Sequence, residues 1–131
     1  AVGLVGDTVS LAEAGAAART AVLNALAAVA TAAAEGEVLV DEDWPEGRPE
    51  ISDADVLAVL DRVHVIKMTG YVASAPGFTQ QHLVLNPASE LLHELLGYAG
   101  VHARSAVGVA ALPLGAPVEI ELFVSVDTED D

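Results

Sequence analysis

Apolar positions recur along this chain at two periods, and the switch between them marks the elements. From Leu11 to about Ala34 the period is helical: Leu11, Ala14, Ala18, Val22, Ala25, Leu26 and Val29 trace one stripe on an alanine-rich background. Ser10-Leu11-Ala12-Glu13 opens it as a capping box, in which the Ser10 hydroxyl accepts from the Glu13 amide and the Glu13 carboxylate accepts from the Ser10 amide. The smallness of that stripe predicts a helix lying close on a sheet. From Arg62 to Val72 the period becomes two: Val63, Val65, Lys67, Thr69 and Tyr71 alternate with His64, Ile66, Met68, Gly70 and Val72. The second set is the more uniformly apolar and is expected to face the helices, leaving the first for a partner subunit or a cavity.

After a turn-rich connection from Ala73 to Phe78, Asn86-Pro87-Ala88-Ser89 reads as a helix entry, with Asn86 as cap and Pro87 in the first helical position. Leu91, Leu92, Leu95 and Leu96 form its expected inward face, and Gly97 or Gly100 its stop. Two β-rich runs follow, Arg104 to Pro113 and Val118 to Val126, about a Pro/Gly break, and they read as a β-hairpin. In the second run Val118, Ile120, Leu122, Val124 and Val126 share one face, while Glu119, Glu121, Phe123 and Ser125 share the other. This order of helices and strands predicts an α+β domain, a mixed sheet with two main helices on one face.

Between the first helix and the first long strand the pattern breaks. Acidic residues crowd positions 35–61, and Pro45 and Pro49 forbid a continuous helix, so this is read as an acidic insertion in a single domain spanning residues 1–131. It ends in a short helix opened by Ser52 or Asp53 and running to about Leu60. Asp41, Glu42 and Asp43 offer hard oxygens to a divalent cation but lack the ligand spacing and turn glycine of a calcium loop, so a solvated loop is the default. Trp44, the only Trp, is expected to pin the loop to the body.

Composition narrows the function classes. Twenty acidic against five basic residues give a net charge of −15, and no basic stripe interrupts it, which disfavours binding to a phosphate backbone. Cysteine is absent, so disulfides, thiolate nucleophiles and cysteine metal sites are excluded. Glu13 and Arg19 interrupt the alanine-rich helix, which reads as a core element rather than a membrane span, and with no signal-peptide pattern the expected location is cytoplasmic. His64, His82, His93 and His102 show no zinc-ligand spacing, no G-x-S-x-G elbow or phosphate loop occurs, and Ser74 and Ser105 have no base nearby in sequence. No metal and no cofactor are expected.

Arg104 is one of the five basic residues and stands at the mouth of a small, apolar strand, with Glu119 and Glu121 on the run that follows. A single arginine in that position commonly makes a surface salt bridge; the alternative is a carboxylate-binding role. Arg104-Ser105-x-Val107-x-Val109-Ala110-x-Leu112-Pro113 followed by Val118-Glu119-Ile120-Glu121 resembles the signature of the RidA/YjgF family, small trimeric enamine/imine deaminases also called endoribonuclease L-PSP proteins. The likeness extends back through Gly70 to Thr79 and Asn86 to Leu92, to the helix beginning near Ser10.

The resemblance implies a chorismate-mutase-like fold, a homotrimer with sites at the subunit clefts, and two N-terminal strands that this sequence does not contain. It implies hydrolysis of reactive 2-imino or enamino acids to 2-oxo acids and ammonia without a cofactor. Arg104 would bind the substrate carboxylate, Glu119 order the attacking water, and Asn86 line the cleft. Ala106 stands where deaminases of the family often carry a cysteine, which removes a polar contact from the substrate pocket. Two readings from other classes stand beside this one: a non-catalytic trimer that binds small carboxylates, and a ribonuclease, which the acidity disfavours.

Overall fold

The computed structural model describes residues 1–38 and 53–127. The elements run α1 (Leu11–Val38), α2 (Asp53–Leu60), β1 (Val63–Ala73), α3 (Gln81–Leu96), β2 (Ala103–Val109) and β3 (Val118–Val126), with 3-10 turns at Gly97–Gly100 and Pro113–Gly115. The acidic positions from Leu39 to Ser52, with the Asp41–Asp43 cluster and Trp44, lie outside the described residues.

β1 is the middle of a three-stranded sheet ordered β2-β1-β3. It pairs parallel with β2 and antiparallel with β3. The last two strands are therefore not the hairpin their adjacency predicts, since β1 lies between them. The eight residues joining them step across two strand spacings, roughly 10 Å, where a tight hairpin spans one. Ala73 at the end of β1 donates to the Pro117 carbonyl and Ser74 to the Val109 carbonyl, both at 2.9 Å, so the end of β1 is held between the flanking strands. The parallel pair β1–β2 is bridged by α3, as a parallel connection requires.

The capping box forms as read: the Ser10 amide donates to Glu13 Oε1 at 2.9 Å and the Glu13 amide to Ser10 Oγ at 3.1 Å. Those bonds stabilise the ionised carboxylate and hold the Glu13 pKa below its ordinary value. In α1 the buried row is Ala14, Ala18, Val22, Leu26 and Ala30, a strict four-residue ridge; Leu11, expected in the stripe, is exposed. Leu11–Ala33 is long and apolar enough to cross a membrane by length and composition, yet its ridge packs into the same core as Met68, Val72, Leu85 and Leu92. The core is small-residue rich where α1 meets α3. A Cβ on Gly15 would sit 3.1 Å from Pro87 Cγ, so the two helices meet closely there.

Two sequence expectations move by a few residues. α3 begins at Gln81, with Asn86 and Pro87 inside it. Gln81 Nε2 donates to the Phe78 carbonyl at 2.9 Å and to Ser74 Oγ at 3.2 Å, fixing the entry six residues earlier than a capping Asn86 would. Pro87 costs one backbone hydrogen bond near the helix start and supplies the ring that meets Gly15. Leu95 is half exposed beside a groove shared with Leu26, Ala58 and Leu60, rather than turned inward.

β1 departs from strict alternation because of a bulge. Its pairing with β3 shifts between Val65 and Lys67, leaving Ile66 as the extra residue and 56 % exposed. Val63 and Val65 before the bulge, and Met68, Gly70 and Val72 after it, are thus all buried against the helices. A simple period of two assigns Val63 and Val65 to the wrong face. Ahead of α1, Val5 is fully buried and closes the end of β1: its amide donates to the Ala73 carbonyl at 2.7 Å, and it accepts from Ala75 at 2.9 Å.

Candidate functional site

Register decides which face each candidate occupies. Met68 pairs with Arg104, Gly70 with Ala106 and Val72 with Gly108, so Arg104 points to the helix side of the sheet. Tyr71 pairs with Glu119 on one side and Val107 on the other, and Thr69 with Glu121 and Ser105, so these residues belong to the opposite face. Arg104 and Glu119 of one chain therefore lie on opposite faces of the sheet and on opposite edge strands.

On the helix side α3 supplies the partners. Asn86 and Ser89 stand three residues apart on one helical face, and Arg104 Nη1 donates to both, to Asn86 Oδ1 at 3.0 Å and to Ser89 Oγ at 3.2 Å. The Nε and Nη2 edge of the guanidinium has no hydrogen-bond partner among the described residues, and no carboxylate among them pairs with Arg104. The salt-bridge alternative thus finds no support among those residues. A cleft of about 310 Å³ opens here, lined by Ser89, His93, Gly100, Val101, His102 and Arg104. A guanidinium with one edge fixed and the other free presents a planar pair of donors, the geometry that a carboxylate accepts through two parallel bonds.

Ala106 lies on the same face as Arg104 but is packed against the hydrophobic core, and it is not among the residues lining the cleft. Of the four residues assigned from sequence, Arg104 and Asn86 come together, Ala106 sits two positions along the strand, and Glu119 stands apart.

Sequence reading missed Ser89 and His102. His102 Nδ1 lies 2.6 Å from the Gly100 carbonyl, which can only accept, so Nδ1 carries the proton. His102 Nε2 lies 3.0 Å from Ser89 Oγ, so a neutral imidazole accepts from the Ser89 hydroxyl, which itself accepts from Arg104. Their signal was present: Ser89 follows Asn86 by three on a helix, and His102 precedes Arg104 by two at a strand start. What sequence could not supply was that α3 and β2 lie side by side.

The opposite face is open. Phe123 is 55 % and Val107 39 % exposed there, flanked by Tyr71, Glu119 and Glu121. Tyr71 Oη donates to Glu121 Oε1 at 3.4 Å, and the Glu121 carboxylate raises the Tyr71 pKa by disfavouring the phenolate. Among the described residues no group of three or more His, Cys, Asp or Glu side chains is arranged to hold a metal ion.

Two helices on one face of a mixed sheet, with a guanidinium held by one edge beside the crossover helix, define an α+β protein with a cleft suited to a carboxylate. The family model described as endoribonuclease L-PSP matches residues 7–126, and the chain belongs to that family. It is 39% identical to the structure of protein Atu1372 of unknown function from Agrobacterium tumefaciens, with a TM-score of 0.73 over 98% of this chain and 68% of that one. A Shewanella oneidensis MR-1 structure, described as a candidate endoribonuclease, superposes with a TM-score of 0.72 at 25% identity, over 95% of this chain and 68% of that one. Protein TCP17 of Trypanosoma cruzi is 48% identical over 73 residues, 54% of this chain and 46% of that protein. The chain thus spans about half the length of this curated relative.

Proposed function

We propose that this protein is a homotrimeric hydrolase that converts reactive 2-imino acids to 2-oxo acids and ammonia at clefts between subunits. The observation that carries the reading is Arg104: one guanidinium edge is fixed by Asn86 and Ser89, and the other is free in a cleft of an otherwise acidic chain. In this reading the free edge takes the substrate carboxylate and fixes the adjacent imine carbon. Asn86 keeps the guanidinium in plane. Hydrolysis of an already reactive imine needs orientation and a placed water more than it needs a strong catalyst.

Glu119 orders that water from a second copy. Within one chain it is on the wrong face to reach Arg104, whereas the open face that carries it, with Val107 and Phe123, is suited to burial against another subunit. The separation of Arg104 and Glu119 thus supports a shared site.

The test is release of ammonia and 2-oxobutanoate from freshly generated 2-iminobutanoate by the wild type and by Arg104→Ala. Acceleration that depends on Arg104, with assembly unchanged, supports the reading; equal rates for the two proteins overturn it. A second reading, a trimer that only binds small carboxylates, is favoured by one observation: among the described residues, the Arg104 cluster on a single chain contains no carboxylate to order water. Ligand binding without ammonia release would establish it. The ribonuclease description attached to the family is opposed here by the net charge of −15.

A further inference from the structure

Four groups on three neighbouring segments form one continuous hydrogen-bonded line: the Gly100 carbonyl, the His102 imidazole, the Ser89 hydroxyl and the Arg104 guanidinium. The first three have the layout of an oriented acid–base pair, in which a hydroxyl meets an imidazole whose far nitrogen is fixed by a third group. Carboxylate anchoring by Arg104 does not explain it. Asn86 and Ser89 together hold Nη1, and a histidine locked by a carbonyl is not needed to orient an arginine.

We propose that the Ser89 hydroxyl delivers protons to the substrate nitrogen in the Arg104 cleft, with His102 as the positioning residue that replenishes it. The proposal rests on the imino-acid reading above and extends it to the leaving group. The geometry makes the direction of the hydroxyl depend on the imidazole. When His102 is neutral, Nε2 accepts and the Ser89 proton points at it. When His102 is protonated, Nε2 becomes a donor, Ser89 Oγ accepts from both His102 and Arg104, and its own proton turns outward into the cleft.

The balance closes over two steps. In the first, the water oxygen bonds to the imine carbon and the C=N π pair moves to nitrogen. Nitrogen takes the Ser89 proton, Ser89 takes one from His102 Nε2, and the added water gives one proton to solvent. The product is a carbinolamine. In the second, nitrogen takes another proton by the same route after His102 is recharged from solvent. The C–N bond then breaks with its pair on nitrogen, the C=O bond forms, and the hydroxyl proton leaves to solvent. Nitrogen gains two protons and the water oxygen loses two, which yields ammonia and the 2-oxo acid.

The groups facing His102 are Ser89 and His93 from α3, Arg104 from β2 and the Gly100 carbonyl from the preceding turn. Glu90 and Glu94 flank Ser89 and His93 on the outer side of α3.

The experiment compares wild type, Ser89→Ala, Ser89→Thr, His102→Gln and Arg104→Ala on the full chain. Ammonia release from 2-iminobutanoate is followed, and 2-oxobutanoate affinity is measured by calorimetry. Expected are losses in turnover of about 100-fold for Ser89→Ala and His102→Gln, within the usual range for removing a general acid. Affinity for 2-oxobutanoate should fall by no more than about tenfold, the worth of one bond to Nη1, and Ser89→Thr should recover most of the rate. Unchanged turnover in Ser89→Ala beside an inactive Arg104→Ala overturns the proposal and leaves the imino-acid reading standing. A wild type with no activity overturns both. A 15N spectrum in which the neutral His102 carries its proton on Nε2 also overturns the relay, independently of turnover.

Discussion

Arg104 and Asn86, 18 positions apart in sequence, meet across the α3–β2 contact with Nη1 of the arginine 3.0 Å from Oδ1 of the asparagine. The bond immobilises one edge of the guanidinium and leaves the other in the cleft. An arginine so held gives up less rotamer freedom when a ligand arrives, which is the physical content of preorganisation here. Asn86→Ala is therefore expected to weaken 2-oxobutanoate binding roughly tenfold, about the worth of one hydrogen bond to a charged group, without unfolding the protein. Calorimetry on the purified variant reads this directly.

The opposite-face placement of Arg104 and Glu119 leads to a complementation result. Arg104→Ala and Glu119→Gln should each be inactive alone. Unfolded together and refolded as mixed oligomers, they should regain about a quarter of the wild-type activity, because that share of interfaces pairs an intact arginine with an intact glutamate. No recovery in mixed oligomers would place both groups on one chain's side of the site.

Phe123 and Val107 test the same arrangement structurally. Phe123→Glu puts a charge where an exposed aromatic ring now stands on the open sheet face, opposite Lys67 in register. Expected is dissociation to monomers in light scattering, with the helical circular dichroism signal retained.

Gly70 reports on how closely α3 lies on β1. A Cβ there would land inside van der Waals contact of both Leu85 methyl groups, and Leu85 is fully buried. Gly70→Ala should cost about 1–3 kcal/mol through overpacking, read as a lower midpoint in urea. The strain falls on α3, so the Asn86–Arg104 bond should weaken with it.

At the other end of the fold, Ser10→Ala removes one half of the capping box and should cost about 1 kcal/mol. The reciprocal half has a pH signature. Because the folded protein lowers the Glu13 pKa, that contribution is complete above the ordinary glutamate range and is lost as pH falls through the lowered value. The Glu13→Gln variant should lose that part of the acid dependence.

Much of this molecule is readable from local pattern. The capping box needs only Ser10 and Glu13 at the right spacing, and the four-residue ridge of α1 and the alternation of β3 follow from the geometry of one element at a time. Arg104 and Asn86 were identified through the likeness of their surrounding motifs. Ser89 and His102 were not, because their spacing from Asn86 and Arg104 acquires meaning only once α3 and β2 lie side by side. A serine inside a helix and a histidine before a strand become a pair only when a crossover connection lays the two elements together.

Sequence by itself determined the elements and the family, because capping, periodicity and motif spacing are encoded over a few neighbouring positions. Tertiary structure decided the rest. Inserting β1 between the last two strands replaced the expected hairpin, and the extra residue at Ile66 switched which side of β1 is buried. The register of β1 with both neighbours then sent Arg104 to the helices and Glu119 to the open face. Strand order and register depend on contacts between residues distant in the chain, and a shift of one position turns every side chain to the other side.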